Sequence, residues 1–197
     1  MPHYFIVYKP FQVLSQFSSQ EQKLTLKDFF LVPQDVYPVG RLDYDSEGLL
    51  ILTNDVQLNH RLLHPSFAHE REYWVQVEGE INPKAIHLLE SGVTISIDGK
   101  PFKTKPCEAD KFSTEPIVPP RQPPIRFRKN IPTSWVRLVL SEGKNRQVRK
   151  MTAKVGFPTL RLIRYRVESL LIDNMQPGDM IALEKQAIYQ KLFQRST

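Results

Sequence analysis

The chain has 197 residues, 41% of them hydrophobic, one cysteine and a formal net charge of +6. Such length and apolar content allow a sizeable core, in one large domain or two small lobes, and exclude global disorder. A single cysteine excludes an internal disulfide, and the first ten residues lack the apolar stretch and small-residue cleavage site of a secretory leader, so a soluble, cytoplasmic protein is expected.

The first predicted element is a strand over 5–8. The next informative stretch is Gly40-Arg41-Leu42-Asp43, followed by Ser46-Glu47-Gly48 and the apolar run 49–53, which is too short for a membrane span and well sized for a buried strand. Active-site charges are commonly anchored beside rigid core elements, which makes Asp43 the first candidate. Its plainer readings are a turn residue or half of an ion pair with Arg41. Asn54-Asp55 then reads as a cap for a helix over 56–64. Residues 73–78 alternate, with Tyr73, Val75 and Val77 on one face and Trp74, Gln76 and Glu78 on the other, as a half-buried strand does. A helix over 83–90 begins with proline in its first turn and stops before Gly92. Further strands are predicted over 93–97, 105–109, 135–140 and 162–171. Strands interleaved with short helices, with little sign of regular parallel crossovers, predict an α+β fold on a mixed, mainly antiparallel sheet.

Six prolines fall within 113–133, together with Arg121, Arg126, Arg128 and Lys129. Proline at that density forbids helix or central strand and favours a stiff, extended connector. It reads either as a plain linker or as a basic arm along an RNA backbone.

Residues 121–166 carry 13 Lys and Arg against one acidic residue, Glu142, while the rest of the chain is net acidic. Such asymmetry suits a phosphate-binding site, where each cation releases a condensed counterion. Within that stretch Ser141-Glu142-Gly143-Lys144-Asn145-Arg146-Gln147-Val148-Arg149-Lys150-Met151 is expected to turn at Gly143 into a helix. Val148, Met151 and Val155 would form its apolar stripe, Arg146 and Lys150 would share a face, and Arg149 would lie near the stripe. An inward guanidinium needs an anion, and Asp43 is the obvious carboxylate. His60 and His64, at i and i+4, lack further ligand-type partners, so no metal site is expected.

The ordered segments Gly40-Arg41-Leu42-Asp43-x-x-Ser46-Glu47-Gly48-Leu49-Leu50, Glu72-Tyr73-Trp74-Val75, Glu142-Gly143-Lys144-Asn145-Arg146-Gln147-Val148-Arg149 and Leu160-Arg161-Leu162-Ile163-Arg164 resemble the motifs of the RsuA-type pseudouridine synthases. Pro123-Pro124-Ile125-Arg126 and Gly156-Phe157-Pro158 are similar to a subgroup acting on 23S, large-subunit ribosomal RNA. The resemblance implies one catalytic domain of two lobes flanking an RNA cleft, approximately 1–68 with 157–197, and 69–156, without the separate N-terminal RNA-binding domain of many relatives. It implies isomerisation of a uridine to pseudouridine on a flipped-out base. Asp43 would be the covalent carboxylate, Arg149 its basic partner, and Tyr73 the ring stacked on the base, with no cofactor. Leu162 would close the pocket. Arg41, Lys144, Arg146, Gln147 and Arg164 would bind substrate, and the enzyme would act as a monomer away from membranes. Arg71 and Lys144 stand where relatives often have lysine and arginine respectively, and Tyr44 where a basic residue is common.

Two other functions compete. One is a non-catalytic RNA-binding or ribosome-assembly factor, for which the basic stretch suffices. The other is a metal-dependent nuclease, because Asp43, Asp45 and Glu47 would face one way on a strand.

Overall fold

The computed structural model describes residues 1–19, 22–126 and 128–194. Its elements in chain order begin with β1 (Tyr4–Lys9), β2 (Val13–Leu14), β3 (Leu24–Thr25), β4 (Tyr37–Pro38), β5 (Glu47–Thr53), α1 (Val56–Leu63), β6 (Arg71–Glu78) and α2 (Pro83–Glu90). They continue with β7 (Thr94–Ile97), β8 (Lys100–Lys103), β9 (Glu108–Lys111), β10 (Thr133–Leu140), α3 (Gln147–Lys154), β11 (Thr159–Val167), β12 (Leu170–Leu171), β13 (Met180–Ala182) and α4 (Lys185–Phe193). The chain forms two compact units, Met1–His69 with Arg164–Thr197, and Glu70–Ile163.

In the discontinuous unit, β5 is buried at all seven positions. An unbroken Leu-Leu-Ile-Leu run is what a strand covered on both faces requires. β1 pairs antiparallel with β5 from Tyr4↔Thr53 to Lys9↔Gly48, β13 pairs with β1, and β4 pairs with the end of β5. Val7, Leu50 and Leu52 pack with Val13, Leu26, Phe30 and Val36. The Asp55 carboxylate caps α1, accepting from Gln57 N at 2.9 Å and Leu58 N at 3.1 Å. It also accepts the hydroxyls of Tyr4 at 2.7 Å and Tyr189 at 2.8 Å, so the first strand and the last helix meet on one side chain. Burial alone would lift this carboxyl, and the two hydroxyls with the two amides outweigh it, holding it below the ordinary value.

The continuous strand expected over 162–171 is instead a hairpin. β11 ends at Val167, Glu168 adopts φ 49°, and β12 folds back with Val167↔Leu170. Glutamate gives no hint of a left-handed turn, since Gly and Asn are the usual residues there.

In the continuous unit, β10 pairs antiparallel with β6 from Thr133↔Glu78 to Leu140↔Arg71, and β9 pairs along the other edge of β10. Directly paired residues share a face. Val75, Val77, Val136 and Leu138 pack with Ala85 and Leu89 of α2 and with Val148 and Met151 of α3, and Tyr73 rests against the same core. Trp74, Gln76, Glu78, Trp135 and Arg137 belong to the opposite face. The strand expected over 105–109 begins later, at Glu108, because Pro106 cannot donate to a ladder. Residues 157–163, grouped by sequence with the other lobe, belong here, with Phe157 and Leu162 packed on this core.

Candidate active site

Asp43 lies in the loop between β4 and β5, where Ser46 N donates to Asp43 O at 3.0 Å and closes a turn. Ser15 Oγ accepts from Leu42 N at 3.0 Å and donates to Leu42 O at 2.8 Å, while Gln12 N donates to Tyr44 O at 2.9 Å. The backbone is thus tied on both sides of Asp43, which stays partly exposed. A carboxylate held this way is positioned without being sealed from a substrate. Gly48, at φ +109°, lets this strand start pass Arg164, since a Cβ there would lie 2.3 Å from Arg164 O.

Beside the loop, Lys9 is fully buried and its Nζ donates to Val13 O at 2.7 Å and Pro10 O at 3.0 Å. Burial pushes its ammonium down to about 7, opposed by the charges of Glu47, Asp43 and Asp45 and assisted by Arg164. Sequence reading missed Lys9, whose only signal is a lysine closing an apolar strand. The nuclease geometry fails at this loop. Asp43 and Asp45 sit outside the strand, Glu47 inside it is 1% exposed, and no cluster of three His, Cys, Asp or Glu suited to a metal occurs among the described residues.

In the other unit, Tyr73 pairs with Leu138, is half-buried and packs on the core that holds Leu162, itself 4% exposed. The helix expected from Gly143 starts only at Gln147, because Arg146 takes a left-handed φ of 53° at the cap. Arg146 therefore does not share a helical face with Lys150 and is exposed ahead of the helix. Arg149 lies in the first turn of α3, which contains no acidic residue. The exposed Arg146 and the part-buried Arg149 and Lys150 at this helix start give it a positive potential suited to phosphate.

Two of the expected substrate contacts, Gln147 and Arg164, carry structural bonds. Gln147, 3% exposed, accepts from Lys144 N at 2.9 Å and donates to Glu142 Oε1 at 2.7 Å, and the same oxygen takes Lys105 N at 2.9 Å. It sets the loop that presents Lys144, whose ammonium lies 5.2 Å from the centre of the Phe102 ring. Arg164, 7% exposed, donates from Nε to Leu49 O at 2.7 Å. The burial of both side chains and these bonds are not legible in the sequence. Arg41 is exposed in the loop before Asp43. Cys107 offers no thiolate: burial pushes it up to about 11, and its thiol donates to Leu89 O.

Residues 3–154 match the model of the family described as RNA pseudouridylate synthase. The chain is 47% identical over 176 residues to the ribosomal large subunit pseudouridine synthase E of Xanthomonas axonopodis pv. citri (strain 306), covering 88% of this chain and 90% of that one. It is 45% identical over 170 residues to the protein of the same name from Vibrio parahaemolyticus serotype O3:K6 (strain RIMD 2210633), covering 86% and 69%. Among solved structures, a pseudouridylate synthase crystal structure matches with a TM-score of 0.78 at 25% identity, covering 97% of this chain and 74% of that one.

Proposed function

The chain belongs to the RNA pseudouridylate synthase family, and from that premise we infer that it converts a uridine of 23S, large-subunit ribosomal RNA to pseudouridine. The C1′–N1 bond breaks, the uracil turns, and C1′ is rejoined at C5. The C5 proton leaves and N1 gains one, so the sum is redox-neutral and calls for no cofactor. Asp43 is the covalent nucleophile in this reading, a role for which carboxylates are chemically suited. Arg149 is the cation associated with it, Tyr73 stacks on the flipped base, and Leu162 closes the pocket. Arg41, Lys144 and Arg146 contact the RNA, with Gln147 and Arg164 holding backbone around them. The enzyme works as a cytoplasmic monomer. Among the described residues no helix is long and apolar enough to cross a membrane.

The observation that best supports the reading is the placement of Asp43 on a backbone tied by Ser15, Gln12 and Ser46 yet open to solvent. The test is tritium release from C5-labelled uridine in ribosomal RNA. The intact protein should release it, and Asp43→Asn should release it at least ~10³-fold more slowly. RNA binding without release by the intact protein would leave the non-catalytic reading in its place.

A further inference from the structure

The proline-rich arm does more than connect β9 to β10. It lies over the face of the β6–β10 pair opposite Tyr73 and borders a half-open cavity of about 710 Å³. Gln76, Glu78, Thr133 and Trp135 line it from the sheet. The volume is within the range of ordinary ligand sites.

The arm is pinned. Arg161, 5% exposed, donates from Nη2 to Pro119 O at 2.8 Å. Arg121 donates to Pro123 O at 2.9 Å and to Leu160 O at 3.3 Å. Arg128 pairs with Glu78 at 2.8 Å, and Trp135 Nε1 donates to Glu115 at 3.2 Å. Both carboxylates of the lining are thereby engaged. Arg126 and Lys129 also line the cavity, are exposed, and have no hydrogen-bond or ion-pair partner among the described residues.

Apart from Asn130, the remaining wall is apolar, with Pro120, Pro124, Ile125, Ile131, Pro132 and Leu160. An apolar wall under two uncommitted cations suits a nucleotide: a flat base for the wall and phosphates for the cations. An added peptide strand is not what it suits, since the cavity lies on the face of the β6–β10 pair, where the two strands' backbone groups are already bonded to each other. We propose that this cavity is a second RNA site, taking one unstacked nucleotide from a single-stranded segment away from the target uridine, with its flanking phosphates on Arg126 and Lys129. The proposal rests on the RNA-modifying reading above and adds to it a determinant of which RNA is chosen.

The test compares the full chain with the double variant Arg126→Ala/Lys129→Ala in binding a single-stranded-loop fragment of large-subunit ribosomal RNA across a salt series. The variant should bind about tenfold more weakly at ~0.1 M salt, and its log–log salt slope should be shallower by about 1.4, the value for two contacts to a single strand. A control variant, Lys84→Ala/Lys100→Ala, removes two exposed charges elsewhere on the same unit and should leave the slope unchanged. Superimposable salt plots for the double variant and the intact chain, or an equal loss in the control, overturn the proposal. Uridine 5′-monophosphate should compete only weakly; competition as strong as that of the RNA fragment, abolished by the double variant, would overturn RNA in favour of a free nucleotide. Failure of the synthase reading shows separately, as absence of tritium release from the intact protein.

Discussion

Lys9 and Asp43 show opposite kinds of legibility at the scale of single residues. Asp43 stands out because its chemistry is written in its neighbours along the chain, whereas the importance of Lys9 arises only when β1 is buried against β5. Its protonation has a measurable consequence. The unfolded chain holds the lysine proton up to the ordinary value of 10.5 and the folded chain releases it near 7, so between these values unfolding takes up a proton and stability rises with pH. Below about 7 both states hold the proton and this dependence vanishes. Lys9→Met should flatten the rise, read as the change in urea midpoint between pH 7 and pH 10; an undiminished rise would show that another group carries it. Tyr73 tests a second residue-scale idea. If its ring supports the base, Tyr73→Phe should stay within about tenfold of normal tritium release, while Tyr73→Ala should lose roughly 10–100-fold, in line with stacking contributions of 1–3 kcal/mol per base. Equal loss in both would give the hydroxyl, not the ring, the larger role.

Elements were legible where a local signal sufficed. Pro83–Glu90 carries its proline start and the Gly92 stop, and the cap at Asp55 announces α1. The start of α3 was misplaced by four residues because the left-handed conformation of Arg146 and the bonds of Gln147 to Glu142 and Lys144 are tertiary facts. β8 escaped notice because it is a short edge strand containing Pro101, and β13 because only pairing with β1 makes it a strand. Asp55 binds three elements, so its loss should be felt beyond α1. Asp55→Ala removes a cap and leaves two tyrosine hydroxyls without their acceptor, for which about 3 kcal/mol is expected. Urea unfolding of the whole chain measures it, and a loss no larger than ~1 kcal/mol would mean the cap alone matters.

Charge is organised on the scale of the molecule. Residues 70–163 carry 17 Lys and Arg against 10 Asp and Glu, whereas the discontinuous unit carries 10 against 11. The sequence window 121–166 already revealed the excess, but it spans a unit boundary and hides how Glu72, Glu108 and Asp110 surround Arg137, a cluster that engages this cation with protein carboxylates. Phosphate binding therefore depends on a subset of the basic residues. RNA affinity should still fall steeply with salt, with a log–log slope of about −3 or steeper for four or more phosphate contacts to a single strand. Filter binding between 50 and 300 mM salt checks this, and a flat line would contradict electrostatic capture.

The meeting of Tyr4, Asp55 and Tyr189 also bears on synthesis. Asp55 and Tyr189 are 134 residues apart, so at roughly 10 residues per second a ribosome takes about 13 s to emit the second after the first. The middle unit is contiguous and has wholly emerged by then, while the half that contains Asp43 waits for the final helix. On this order of assembly, the carboxylate loop matures last, and a nascent chain holds its basic half in finished form before the Asp43 loop is set.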